Sequence, residues 1–111
     1  MNADAVVRAL QQLGEDMTFR RLTGTQRVAF DVVVRAHVVM GGVNILVGGV
    51  LQTGDLIRLT NREMKAAQWP APPRHGDQIV FADGRVSAVQ GRVQIYHLEE
   101  DDVYNVHTLG G

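Results

Sequence analysis

Residues 28–39 read VAFDVVVRAHVV, and this stretch decides the fold class. Apolar residues recur there at every second position, so one continuous apolar face lies opposite a mixed face that carries Asp31, Arg35 and His37. A period of two is typical of a β-strand, and an antiparallel strand that covers a core needs one apolar face. Residues 17–22 also alternate, and residues 23–26 read as a turn. The two stretches therefore predict a hairpin.

The composition sets limits on what the chain can be. It has 111 residues, of which 45% are hydrophobic and 21% charged, and we expect residues 1–111 to form a single domain. With 0 Cys, disulfides and thiolate metal sites are excluded. A net charge of −1 gives no overall electrostatic argument for binding nucleic acid or an anionic membrane.

Further elements follow on both sides of the first hairpin. Residues 1–14 carry an apolar stripe at helical spacing that Gly14 ends, and residues 17–59 contain the first strands. Thr60 and Glu63 fit a capping box that begins a short helix within residues 60–68, and residues 77–109 contain the C-terminal strands. The sequence thus predicts a mainly β fold. We expect a small antiparallel β-barrel or sandwich of about six strands, with an N-terminal helix and one short inserted helix.

An unusual apolar segment, MGGVNILVGGV, occupies residues 40–50 and has a Gly pair at each end. Gly pairs permit backbone conformations that other residues avoid. Two interpretations stay open. The segment is a hairpin tip whose Val43, Ile45 and Val47 complete the core, or it is an arm that docks on a neighbouring subunit. The candidate contact residues are Met40, Val43, Asn44, Ile45, Leu46 and Val47.

Two other features are candidates for subunit or channel contacts. Trp69, the single Trp, fits a core plug at the junction of a helix and a strand, and it also fits an interface anchor. The acidic run 99–102 predicts a solvated loop that, in an assembly, could face a basic patch on a neighbour. Its members are Glu99, Glu100, Asp101 and Asp102.

Catalytic patterns are missing from the sequence. The four His residues have no metal-ligand spacing, and the chain has no nucleophile elbow, no phosphate-binding glycine motif and no calcium-loop pattern. We therefore expect no enzymatic activity and no cofactor. Two alternatives remain: a small β-barrel that binds a peptide or nucleic acid, and a metal-dependent enzyme that uses His97, His107 and the acidic run.

Targeting and membrane signals are also missing. The first residues lack the apolar run of a signal peptide, and the most apolar window, residues 38–51, is shorter than the roughly 18–20 residues that a spanning helix needs. We expect a soluble protein made in the cytoplasm.

A series of motifs runs through residues 56–109. It comprises IRLT at 57–60, a short helix over 62–67, PPRHGDQIV at 72–80, the turn DGR at 83–85 and a closing strand with VYNVH at 103–107. This series resembles the head–tail joining proteins, also called head-completion or stopper proteins, of long-tailed bacteriophages. The chain departs from that family at residues 86–89, where the family often has an aromatic residue before its valines.

The resemblance implies a structural virion protein without enzymatic activity. Such proteins form a homo-oligomeric ring, a hexamer or dodecamer, beneath the portal in the virion neck after assembly in the bacterial cytoplasm. The ring extends or closes the DNA channel and docks the tail. The implied partners are other copies of the chain, a portal or adaptor protein, a tail terminator or tail tube protein, and genomic DNA by non-specific proximity, with no membrane.

Overall fold

The computed structural model describes residues 3–22, 28–69 and 72–110. Within these ranges the fold is mainly β, as the sequence predicts, with two short helices. The elements in chain order are α1 (Ala3–Leu13), β1 (Glu15–Leu22), β2 (Val28–Val47), β3 (Val50–Thr60), α2 (Asn61–Ala66), β4 (Gln78–Val80), β5 (Val86–Val89), β6 (Gln94–Leu98) and β7 (Asp101–Gly110).

Six of the strands close into an antiparallel barrel. The order of hydrogen-bonded neighbours is β3, β2, β1, β4, β5 and β7, and β7 pairs again with β3. The seventh strand, β6, pairs with the first half of β7, while the end of β7 pairs with β5. Of the two predicted architectures the chain therefore adopts the barrel, which removes the sheet edges that a sandwich would leave.

The barrel interior is filled by apolar side chains from every barrel strand. Strand β2 shows the predicted alternation, because Val34 and Ala36 are buried while Val33 and Arg35 are exposed. The largest fully buried side chains are Phe19, Met17, Ile57, Leu59, Ile79, Val34, Val89 and Val106. A packed interior leaves the outer surface as the place for a functional site.

The two helices differ in how well their sequence signals match their packing. At α2 the predicted capping box is present: the Thr60 hydroxyl accepts from the Arg62 N–H, and the Glu63 carboxylate accepts from the Thr60 N–H. At α1 only part of the apolar stripe is covered, since Leu10 is buried but Leu13 is exposed.

Several boundaries differ from those predicted. Strand β2 extends to Val47, so residues 40–50 form strand and turn instead of a loop. Residues 86–96, for which the sequence predicts a strand with a bulge or a second tight turn at Gly91, form two strands, and Gly91 has a positive φ of 68° between β5 and β6. Strand β7 begins at Asp101, within the predicted acidic loop. The predicted turn at 23–26 and half of the Pro-rich connector, Pro70 and Ala71, lie outside the described residues.

Candidate interaction surface

A two-stranded ribbon, residues 38–52, extends the β2–β3 hairpin beyond the barrel. Strand β1 pairs with β2 only as far as Ala36, and β7 pairs with β3 only from Thr53 onward. Between these limits, within the part of the chain that the structure describes, the two ribbon strands pair with each other alone. The ribbon thus has two open strand edges.

Glycines shape the ribbon at both ends. Gly48 and Gly49 have φ angles of 55° and 81°, the two positive values that a two-residue type I′ turn requires. At the base, the β2–β3 register shifts on both sides of Met40, and Gly42 has a φ of 69°. Such irregularities bend a strand, so the Gly pairs noted in the sequence make a tight turn at the tip and a bend at the base.

Asp55 fixes the base of the ribbon to the rest of the barrel. Its carboxylate accepts a hydrogen bond of 2.9 Å from the Gly42 N–H, and Arg85 donates to both of its oxygens at 2.7 and 3.1 Å. Burial opposes ionisation of Asp55, but the hydrogen bonds from Arg85 and Gly42 outweigh it and hold its pKa below the ordinary value. The pairing likewise raises the pKa of Arg85. Both groups are therefore charged at neutral pH.

The ribbon exposes apolar side chains on both faces. Leu46 and Leu51 are register partners and are 71% and 65% exposed, on one face. Val43, Ile45 and Val50 are exposed on the other face. Residues 38–54 contain no Asp, Glu, Lys or Arg. Edge strands in monomeric proteins usually carry charges or prolines that prevent pairing, and a lone two-stranded hairpin is marginally stable in water. The ribbon lacks these protections.

The sequence predictions for this segment are partly wrong. The backbone forms the predicted hairpin tip, but Val43 and Ile45 do not complete the core, because the barrel interior is already filled. Ile45 instead lies over Gly54, where an added Cβ would collide with the Ile45 side chain. The other candidates Met40 and Asn44 are exposed, and the Val47 side chain lies outside the described residues. A docking role for the segment stays a prediction.

An apolar groove of about 250 Å³ lies where the ribbon meets the outside of the barrel. Strand β2 contributes Met40, Val43 and Ile45 to it, and β3 and β7 contribute Leu56 and Leu109. The groove is lined almost wholly by apolar atoms, so it suits an aliphatic or aromatic side chain better than a charged one.

A second exposed surface lies on β6. Among the described strands it pairs with β7 alone, and its Ile95 and Tyr96 side chains are 43% and 53% exposed. Next to it lies a groove of about 500 Å³, and its lining includes Pro72, Pro73, Val93 and Ile95 together with Arg74 and Arg92. The sequence predicts a strand over residues 86–96 with a bulge or a second tight turn at Gly91, and a break at Gly91 is what sets β6 apart from β5.

Trp69 lies in the core and not on the surface. It is buried, packs edge-on against Phe19 with ring centroids 6.1 Å apart, and has the Arg21 guanidinium 4.9 Å from its ring centroid. Arg21 in turn donates to both carboxylate oxygens of Asp77 at 2.9 and 2.7 Å. Of the two interpretations of Trp69, the structure therefore shows the core plug.

The Asp77 pair also explains the turn in the PPRHGDQIV motif. The Asp77 carboxylate accepts from the Arg74 N–H at 2.9 Å while it binds Arg21, and Gly76 supplies a φ of 93°. The Gly-Asp step thus anchors the turn to β1. The motif serves the fold in this chain, and neither Arg21 nor Asp77 is open to a partner.

Half of the predicted acidic loop is strand. Glu99 and Glu100 form an exposed turn, but Asp101 and Asp102 are the first residues of β7. Asp101 is buried against Arg62, which donates to it at 3.0 and 2.5 Å and holds its pKa below the ordinary value. Only two of the four carboxylates are therefore fully presented to solvent.

The two histidines of the metal-enzyme alternative are not brought together. His97 lies opposite Asp102 on β7, with 2.5 Å between His97 Nδ1 and Asp102 Oδ1, whereas His107 lies opposite Leu56 on β3. Among the described residues, no three His, Cys, Asp or Glu side chains are grouped so that they could hold a metal ion.

Comparison with known proteins gives no family assignment: no family model matches the chain, and no curated protein matches it. Within the described ranges, neither helix has the length and apolar character to cross a membrane.

Proposed function

We propose that the chain is a structural subunit of a ring at the head–tail interface of a long-tailed bacteriophage. Copies would assemble below the portal in the virion neck, extend or close the DNA channel and present a docking surface for the tail. The proposed partners are further copies of the chain, a portal or adaptor protein, and a tail terminator or tail tube protein. The proposed role includes neither enzymatic activity nor a cofactor.

One observation carries this proposal: an uncharged apolar ribbon with two open edges extends from a barrel whose interior is full. Within the described residues, apolar side chains fill the barrel interior, so the unusual feature is an exposed surface suited to another protein. The order of elements in residues 56–109 supports it as well. A strand, a short helix, a Gly-Asp turn, a hairpin at Asp83 and Gly84 and a closing strand all occur where the resemblance expects them.

Native mass spectrometry and electron microscopy of the full chain test the proposal, alone and mixed with the portal of the same phage. We expect a cyclic assembly at micromolar to millimolar concentration, and binding of that assembly to one end of the portal. The variant Leu46→Ser/Leu51→Ser should weaken assembly. Val33→Ser, at a site that is 63% exposed but outside the ribbon, is the matched control. A chain that stays monomeric and never binds portal would contradict the proposal.

A small peptide-binding barrel is the second candidate, and the outer apolar groove favours it. An extended peptide could add to an open ribbon edge and place an apolar side chain between Met40 and Leu109. Nucleic acid is a weaker ligand class, because the ribbon has no cationic residue and a single-strand binder needs both positive charge and stacking aromatics. A monomer that binds one extended peptide, blocked by Met40→Glu, would favour this candidate over the ring.

A further inference from the structure

We infer that the ribbon of one copy docks along the β6 edge of the next copy, so that each subunit contributes two different surfaces to one repeated contact. This inference names the interface of the proposed ring and rests on that proposal. The occupant of the ribbon is thus a second copy of this chain, and the contacting strand is Gln94–Leu98.

Both surfaces have a strand edge whose backbone groups lack hydrogen-bond partners from another strand. Within the described residues, the ribbon strands lack outer partners from Val38 to Gln52, and β6 pairs with β7 alone. Unpaired N–H and C=O groups on an edge strand are a template for another strand. Pairing one ribbon edge with the β6 edge would satisfy the outward backbone groups of both strands, and each copy carries both kinds of edge.

The exposed apolar residues of the ribbon mark it as an interaction surface. Seven of them, spread over its two faces, are 39% to 71% exposed, and clustered exposed apolar residues are typical of a protein interaction site. These residues are Val39, Met40, Val43, Ile45, Leu46, Val50 and Leu51. Such a surface is not expected to stay uncovered in water.

The chemistry of the two surfaces also matches. Residues 93–98 contain no Asp, Glu, Lys or Arg, as is true of residues 38–54, so neither strand that would pair carries such a charge, while Arg74 and Arg92 line the groove beside β6. Ile95 and Tyr96 supply the exposed apolar and aromatic side chains that interfaces favour. An anionic lipid surface is a poorer occupant of the ribbon, because such surfaces attract basic residues and the ribbon has none.

Symmetry decides between two ways of pairing copies. If two ribbons paired with each other, the contact would be isologous, and the β6 edge with Ile95 and Tyr96 would stay open on both copies. If a ribbon pairs with β6, the contact is heterologous, and a closed ring covers both surfaces on every subunit. The second arrangement leaves one ribbon edge open on each subunit, whereas the first leaves one ribbon edge and the β6 edge open, so we favour the second.

Cysteine cross-linking tests this contact directly, because the natural chain has 0 Cys. Full-length chains with Leu46→Cys and with Tyr96→Cys are mixed in equal amounts under assembly conditions and oxidised. We expect a disulfide between one chain of each variant. A chain that carries both substitutions should give a covalent ladder that ends at the ring size. Val33→Cys, paired with Tyr96→Cys, is the control and should cross-link at least tenfold less.

The possible results separate this inference from the proposed function. Dominant cross-linking of Leu46→Cys to itself, or rings that form without a link between positions 46 and 96, would overturn the inference and leave the ring proposal standing. A linked ring that binds neither portal nor tail would support the inference and contradict the proposed virion role. Amide hydrogen exchange on the unmodified chain gives a second measurement. Assembly should slow exchange at residues 94–98, and unchanged exchange there would also overturn the inference.

Discussion

Asp55 and Arg85 form a two-point ion pair across the barrel wall, with 2.7 Å between Oδ2 and Nη1 and 3.1 Å between Oδ1 and Nη2. The Asp55 side chain is fully buried, and it also accepts from Gly42 at the bend of the ribbon. One carboxylate therefore joins β3, the bend in β2 and the residue that precedes β5. The position of the ribbon depends on this carboxylate.

Substitution of Asp55 should destabilise the fold and change its response to acid. Because Asp55→Asn leaves Arg85 without its partner, we expect a loss of about 3 kcal/mol in the free energy of unfolding at pH 7. The folded pKa of Asp55 is lowered, so the stabilisation is complete above the ordinary value of 3.8 and is lost as the pH falls through the lowered pKa. Urea unfolding of both proteins from pH 7 to pH 2.5 measures this, and the difference between them should shrink with acid.

The matched control for that experiment is Asp16→Asn, because the Asp16 side chain is 67% exposed and lies 3.4 Å from Arg35. An exposed pair of this kind contributes about 0–1 kcal/mol. If the Asp16 and Asp55 variants lost equal stability, the ion pair at the base of the ribbon would not have the role assigned to it.

Loss of the Arg21–Asp77 ion pair should change the fluorescence of Trp69, the single Trp of the chain. Asp77→Asn removes the two-point partner of Arg21 and weakens the turn at Arg74, and we expect a loss of about 3 kcal/mol in stability. Since the Arg21 guanidinium lies 4.9 Å from the Trp69 ring centroid, its displacement should also change the Trp69 fluorescence of the folded protein. Fluorescence spectra and denaturant titration measure both effects. An unaltered native spectrum would contradict the coupling of Asp77 to Trp69.

Gly54 and Ile45 should show strong coupling in a double-mutant cycle. A Cβ at Gly54 would collide with the Ile45 side chain, so Gly54→Ala should cost about 1–3 kcal/mol through overpacking. Ile45→Ala removes the obstructing atoms, and the double variant should recover most of that loss. Thermal unfolding of the four proteins gives the coupling energy. Simple additivity would mean that Ile45 does not cover Gly54.

Tyr104 should ionise at unusually high pH. Burial, with a further contribution from the charge of Asp102, raises its pKa above the ordinary value of 10.0. The chain has 2 Tyr, so Tyr96→Phe leaves Tyr104 as the only tyrosine to follow by its ultraviolet absorbance. Below pH 10 this group should leave stability unchanged, and stability should fall as the pH rises through the raised pKa. A midpoint at 10.0 or lower in the folded protein would contradict the burial of Tyr104.

Local signals in the sequence predicted local structure well. The alternation around Val34 and the capping box of Thr60 and Glu63 depend on neighbouring residues, and both predictions are confirmed. The closure of the barrel was one of two predicted architectures, because alternation shows which face of a strand is buried but not which strand lies beside it.

Long-range relationships could not be predicted in the same way. Asp55 and Arg85 are 30 residues apart in the sequence, and Arg85 reaches Asp55 because the closed barrel brings β5 next to β3 through β7. For the same reason the apolar residues of the ribbon could be noted but not placed. Whether Ile45 is buried depends on which strands flank β2, and β1 ends before it could cover the ribbon.

We expect the closure of the barrel by β3 and β7 to be a late step of folding. Partners such as Thr53 and Gly110 are far apart in the sequence, and the entropy cost of closing so long a loop comes before their contacts contribute stability. Before the β3–β7 contacts form, Arg85 is not held near Asp55 and the base of the ribbon is not fixed. A partly folded chain would therefore expose an apolar hairpin without a fixed orientation. Correct self-association would thus have to wait for barrel closure. We accordingly expect refolding to yield more aggregate as the chain concentration rises, while Trp69 fluorescence follows the recovery of the fold. Slow closure would lengthen the time during which the exposed hairpin can aggregate.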